Sequence, residues 1–119
     1  EVDSGGSDFS HCHCSQCRRL HGAAYGTFAG IPRKTFKYVT GEKDVKSYWS
    51  SEKNERVFCG NCGSNIMVVD NTDPDDFYLS MSTIEDDPEL PEGYHIWVSS
   101  KAPWHEINDD LPQFEKWNK

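Results

Sequence analysis

The spacing of the cysteines is the feature that most constrains this chain. There are five of them: Cys12, Cys14, Cys17, Cys59 and Cys62. The first three form a C-x-C-x-x-C cluster, and the last two form a C-x-x-C-G knuckle whose glycines permit the tight turn that points both sulfurs at one ion. Soft thiolates at these spacings suit zinc better than iron. The sequence therefore predicts a zinc-binding protein.

Two other uses of cysteine fit the pattern less well. An odd number of cysteines cannot all pair in disulfides, and the neighbours in a C-x-C motif are poorly placed to bridge each other. Thioredoxin-like redox pairs lie in βαβ patterns, whereas this sequence shows no long helical segment. Metal binding is therefore the preferred interpretation, with disulfide or redox use as the alternative.

The number of thiols bears on mechanism. A closed structural zinc takes four protein ligands, whereas a catalytic zinc takes three and leaves a position open. Cys12, Cys14 and Cys17 fit the open type, and Cys59 with Cys62 needs two further ligands. Those ligands could come from upstream residues, from histidines, or from the triplet itself. In the last case a single closed site forms and catalysis is doubtful.

The secondary-structure pattern favours a mainly β, antiparallel domain. Turn formers separate seven short stretches rich in β-branched and aromatic residues. These predicted strands are residues 25–31, 36–40, 45–50, 56–58, 65–69, 77–82 and 95–99. Only residues 17–21 and 111–117 are predicted to be helical. We expect residues 1–119 to form one domain, preceded in the complete protein by a short segment, because residues 1–3 read like the end of a strand before a turn at residues 4–7.

Charge and hydropathy exclude some partners. Twelve Lys and Arg against 20 Asp and Glu give a net charge of −8, which repels phosphate backbones and anionic lipid surfaces. No apolar run approaches the length of a membrane span. We therefore expect a soluble, cytoplasmic protein that binds neither nucleic acid nor membranes.

Four segments of the sequence together match the pattern of one known family: residues 11–19 (HCHCSQCRR), 21–24 (HGAA), 58–64 (FCGNCGS) and 95–104 (HIWVSSKAPW). They resemble the corresponding segments of the glutathione-dependent formaldehyde-activating (GFA) family, which includes centromere protein V. The resemblance implies a β-tent-like fold of small antiparallel sheets with one catalytic and one structural zinc. It also implies that Cys12, Cys14 and Cys17 hold the catalytic ion, and that Cys59 and Cys62 hold half of the structural one. The family's other half is an early C-x-C-G motif, which this sequence lacks.

The resemblance further implies an activity, the joining of formaldehyde to glutathione as S-hydroxymethylglutathione, which is classed as carbon–sulfur lyase chemistry. Arg18 and Arg19 are candidates to bind the carboxylates of a glutathione-like ligand, because guanidinium groups fit carboxylates. We expect the side chain of His13 to point away from the metal and His95 to be hydrogen-bonded. The alternatives are a non-catalytic zinc module that binds a partner protein, and a thiol redox or metal-buffering protein.

Overall fold

Short apolar stretches between turn formers produce seven strands and one α-helix in the described part of the chain. The structure is a computed structural model that describes residues 1–2 and 6–118. The elements are β1 (Ser7–Cys12), α1 (Ser15–His21), β2 (Gly26–Pro32), β3 (Val45–Trp49), β4 (Asn54–Cys59), β5 (Asn65–Asp70), β6 (Asp76–Ser80) and β7 (Tyr94–Ile96). Two of the four residues of the turn predicted at residues 4–7, residues 4 and 5, lie outside the described residues. Ser7 already belongs to β1.

The seven strands form one sheet in the order β3-β4-β5-β6-β2-β1-β7. All neighbours run antiparallel except β1 and β7, which are parallel. The prediction of a mainly β domain is confirmed. Within residues 1–2 and 6–118, no helix is both long and apolar enough to cross a membrane.

Two of the predicted elements are wrong. Residues 36–40 form no strand, and only Phe36 makes an isolated bridge, to Val2. Residues 111–117 form no helix, because their backbone pairs with the strand β7 instead. The amide of His95 donates to the carbonyl of Pro112, and the amide of Phe114 donates to the carbonyl of His95. The last part of the chain therefore lies alongside β7.

Most of the buried apolar side chains in the described residues belong to one of two clusters. The first contains Ile31, Val57, Met67, Phe77 and Leu79. The second contains Cys12, Cys17, Phe28 and Ile96. Two cysteines belong to the second cluster, in which β1, α1, β2 and β7 pack together. This packing therefore also sets the position of their sulfur atoms.

The first cluster supplies a direct test of the fold. Leu79 is 2% exposed, so Leu79→Ala should leave a cavity and lower the free energy of unfolding by about 2–5 kcal/mol. Val39→Ala is the control, because Val39 is 66% exposed and its truncation should change that free energy by less than about 0.5 kcal/mol. Urea unfolding of both variants measures the difference. Equal effects of the two substitutions would contradict this packing.

Candidate metal centre

The loop between β1 and α1 is held on both sides. Cys12, the last residue of β1, pairs with Gly26 of β2 and with Ile96 of β7. The amide of His13 donates to the carbonyl of Ile96 at 3.0 Å, which continues the ladder by one residue. Cys14 then caps α1, since its Sγ accepts a hydrogen bond from the amide of Cys17 at 3.3 Å. The path of the backbone therefore sets the positions of the three thiols.

The three thiols of this loop come together. The Sγ atoms of Cys12, Cys14 and Cys17 all lie within 4.8 Å of one another. Cys12 is 6% exposed and Cys17 is 2% exposed, whereas Cys14 is half-buried. None of the five cysteines, all of which are among the described residues, forms a disulfide. Three soft donors at this separation fit a thiophilic ion such as zinc.

The charges of the three thiols are coupled. Hydrogen bonds from Cys12 and Cys17 hold the pKa of Cys14 far below its usual range. Hydrogen bonding with Cys14 and with Cys17, together with burial, raises the pKa of Cys12. Of the three thiols, Cys14 is therefore the one whose ionisation the site favours most. Ionisation of all three needs a cation, because like charges this close disfavour one another.

Arg56 is the charged side chain that contacts the triplet, and sequence analysis did not identify it. Its Nη1 donates to Sγ of Cys17 at 3.5 Å, and its Nη2 donates to Oε1 of Gln16 at 3.4 Å. Arg56 lies on β4 next to Val57, whose side chain faces the first core cluster. Strand alternation places Arg56 on the opposite face, but nothing in the sequence shows that α1 covers that face.

The knuckle forms the hairpin between β4 and β5, apart from the triplet. Neither Cys59 nor Cys62 belongs to the group of sulfurs within 4.8 Å. Gly63, with φ +82°, makes the turn in a left-handed conformation that glycine favours. Cys62 is exposed, and hydrogen bonds with Ser64 and Cys59 lower its pKa. A cavity of about 630 Å³ lies between this hairpin and the end of α1.

A series of hydrogen bonds connects the loop after β1 to Asp109. His13 is completely buried, and its Nε2 lies 2.8 Å from Nδ1 of His95. Nε2 of His95 lies 3.1 and 3.0 Å from the two carboxylate oxygens of Asp109. Because a carboxylate only accepts, Nε2 of His95 donates to Asp109. Within residues 1–2 and 6–118, Nδ1 of His13 has no hydrogen-bond partner.

These hydrogen bonds explain the environment of His13. The expectation that its ring is not a ligand of the triplet agrees with its hydrogen bond to His95, but the ring is fully buried. Asp109, which no motif in the sequence singles out, fixes the orientation of His95. The structure therefore ties the loop between Cys12 and Cys14 to the C-terminal segment.

The two arginines after the triplet differ in their surroundings. Arg18 is half-buried, and its Nε is shielded from water and unpaired in the described part of the chain. Arg19 is exposed. Both are on α1 beside the triplet, so their positions are compatible with the predicted binding of carboxylates.

Comparison with known proteins gives a consistent picture. The model of the family described as glutathione-dependent formaldehyde-activating enzyme matches residues 1–100. A protein of Halomonas elongata named "Putative glutathione-dependent formaldehyde-activating enzyme" is 29% identical over 106 residues, which cover 83% of this chain and 67% of that protein. The crystal structure of a Rhodobacter sphaeroides protein superposes with a TM-score of 0.58 at 22% identity, over 73% of this chain and 77% of that one. The last match supports the fold alone.

Acid should destabilise the folded, metal-free chain. Burial lowers the pKa of His13 from 6.5 to about 4, and burial also lowers the pKa of His11 and of His21. Between pH 6.5 and about 4 the unfolded chain therefore binds protons that the folded chain does not. The free energy of unfolding should fall as the pH falls through this interval.

Urea unfolding in the presence of a chelator measures this dependence. His13→Gln should be less stable than the wild type at neutral pH, because its side chain does not reproduce the ring contact with His95. It should also lose part of the slope between pH 6.5 and about 4. A free energy of unfolding that is constant or rises as the pH falls would contradict the buried, neutral state of these histidines.

Proposed function

The chain belongs to the glutathione-dependent formaldehyde-activating enzyme family, and from that membership we propose that it is a zinc-dependent enzyme of the carbon–sulfur lyase type. Its substrates would be a thiol and an aldehyde, with glutathione and formaldehyde as the pair that the family description names. The observation that carries the proposal is the group of three sulfurs within 4.8 Å, one of them on a half-buried cysteine. Three protein ligands are the number that a catalytic zinc uses.

The cysteines divide between two roles in this proposal. Cys12, Cys14 and Cys17 would hold the catalytic ion. Cys59 and Cys62 would supply half of the ligands of a second, structural ion, because they lie outside the triplet. Cys14 is the least buried of the three catalytic ligands, so a substrate would approach from its side.

The reaction balances without an oxidant. The sulfur of the thiolate attacks the carbonyl carbon of the aldehyde, a carbon–sulfur bond forms, and the π electrons move to the oxygen, which takes a proton from water. When bound, zinc would supply the positive charge that keeps the substrate thiol in its nucleophilic, thiolate form. The chain itself would hold the reactants close together on one side of the triplet, which raises the rate of a bimolecular addition.

Two further groups of residues would support this reaction. Arg18 and Arg19 would pair with the carboxylates of glutathione, for which the unpaired Nε of Arg18 is a supporting observation. The hydrogen bonds from His13 through His95 to Asp109 would keep the ligand loop in one conformation. Such support of metal ligands by outer hydrogen bonds typically affects metal affinity or activity by about 10–100-fold.

The variant Cys14→Ser separates the catalytic role from a structural one. A serine hydroxyl can replace the sulfur as the cap of α1, so the unfolding midpoint of the metal-free chain should change little. Loss of a ligand should lower the rate of adduct formation from glutathione and formaldehyde by about a hundredfold or more, since even outer partners of a metal ligand account for about 10–100-fold. Exchange NMR on the zinc-loaded chain measures this rate above the spontaneous one.

Two results would contradict the proposal. The first is a zinc-loaded wild-type chain whose rate equals the spontaneous rate, a result that favours a non-catalytic zinc module. The second is an unchanged rate in Cys14→Ser.

A further inference from the structure

The proposed centre carries more negative charge than its metal ion neutralises. Three thiolates around a divalent ion leave one net negative charge, and a substrate thiolate adds another. Cys12 and Cys17 are buried in a cluster with Phe28 and Ile96, where an uncompensated charge is costly. The whole chain, at −8, adds to the repulsion. A nearby positive group is therefore needed.

Arg56 meets this need by its position. Its Nη1 lies 3.5 Å from Sγ of Cys17, so the positive charge is in contact with the triplet. An arginine stays protonated at every physiological pH. Its charge therefore does not depend on the state of the thiols.

In the described part of the chain, the positive charge of Arg56 is not paired with a carboxylate. Within the described ranges the ion pairs are Lys37 with Glu1 and His95 with Asp109, so no carboxylate there lies within 4.0 Å of Arg56. Its other contact is the neutral amide of Gln16 at 3.4 Å, and its buried Nε has no hydrogen-bond partner there. The positive charge of Arg56 is therefore available to the triplet.

We propose that Arg56 is a specificity-determining residue, whose charge lets the centre of Cys12, Cys14 and Cys17 accept an anionic thiol as a further ligand. The inference rests on the proposed function and deepens it. Arg56 selects for the charge of the ligand, in contrast to Arg18 and Arg19, which would bind carboxylates at the far end of the substrate. A neutral ligand of the same metal gains nothing from Arg56.

The experiment compares an anionic with a neutral ligand on the same metal. The full chain is loaded with Co²⁺, whose visible absorption reports on coordination by thiolates. It is titrated with 2-mercaptoethanol, which carries no carboxylate and binds as its thiolate, and separately with imidazole, which binds as a neutral ring. The variants are Arg56→Gln, Arg56→Lys and the control Lys34→Gln, which removes one exposed positive charge away from the triplet.

The expected result is selective. Arg56→Gln should weaken the binding of 2-mercaptoethanol by about tenfold or more, which is about 1.4 kcal/mol, and leave the binding of imidazole unchanged. Lys34→Gln should match the wild type with both ligands. Arg56→Lys keeps the charge and should bind the thiol within about threefold of the wild type.

The inference is overturned if Arg56→Gln binds the thiol as the wild type does, or if it loses thiol and imidazole equally, since equal loss indicates damage to the fold. If Arg56→Gln takes up no cobalt, Arg56→Lys decides. Loss of thiol binding alone in that variant also overturns the inference, because its charge is intact. A wild-type chain that binds imidazole but no thiol refutes the proposed function itself, which distinguishes the two failures.

Discussion

The candidate site depends on the sulfur atoms of Cys12, Cys14 and Cys17 lying within 4.8 Å of one another. Three thiols at this distance cannot all ionise unless a cation balances them. Backbone pairing, helix capping and burial hold these atoms in place. Cys12 is fixed by pairing on both sides of β1, Cys14 by capping α1, and Cys17 by burial. The loop thus has little conformational entropy left to lose when a metal binds.

Elements far apart in the sequence converge on this loop from two directions. Arg56 reaches α1 from β4 and contacts the sulfur of Cys17. Next to β7, Asp109 orients His95, which holds the buried ring of His13. The C-terminal segment pairs with β7 and places Asp109 there. A change in either region can therefore alter the metal loop without touching a cysteine.

The sequence predicted those parts of the site that depend on local spacing. The grouping of Cys12, Cys14 and Cys17 and the mainly β class follow from residues close together in the chain, whereas the sequence left open whether Cys59 and Cys62 complete the site of the triplet or lie in a second one. Arg56 and Asp109 could not be predicted, because their contacts depend on which strands lie side by side. Cys17 and Arg56 are 39 residues apart, and His95 and Asp109 are 14 apart across an irregular segment.

The helix predicted at residues 111–117 failed for a related reason. Local composition was compatible with a helix, but the backbone of this segment satisfies the free edge of β7. Pairing with a strand edge depends on the whole sheet and overrides a weak local preference.

In the proposed function, Cys12, Cys14 and Cys17 hold a metal ion that has a position open to substrate. Anomalous diffraction at the zinc edge, from crystals of the zinc-loaded chain, locates that ion and its ligands. We expect an ion bound by these three sulfurs and by a fourth ligand that is not a cysteine. An ion bound by four cysteine sulfurs that include Cys59 or Cys62, or zinc-loaded crystals in which the three thiols bind no ion, would contradict it.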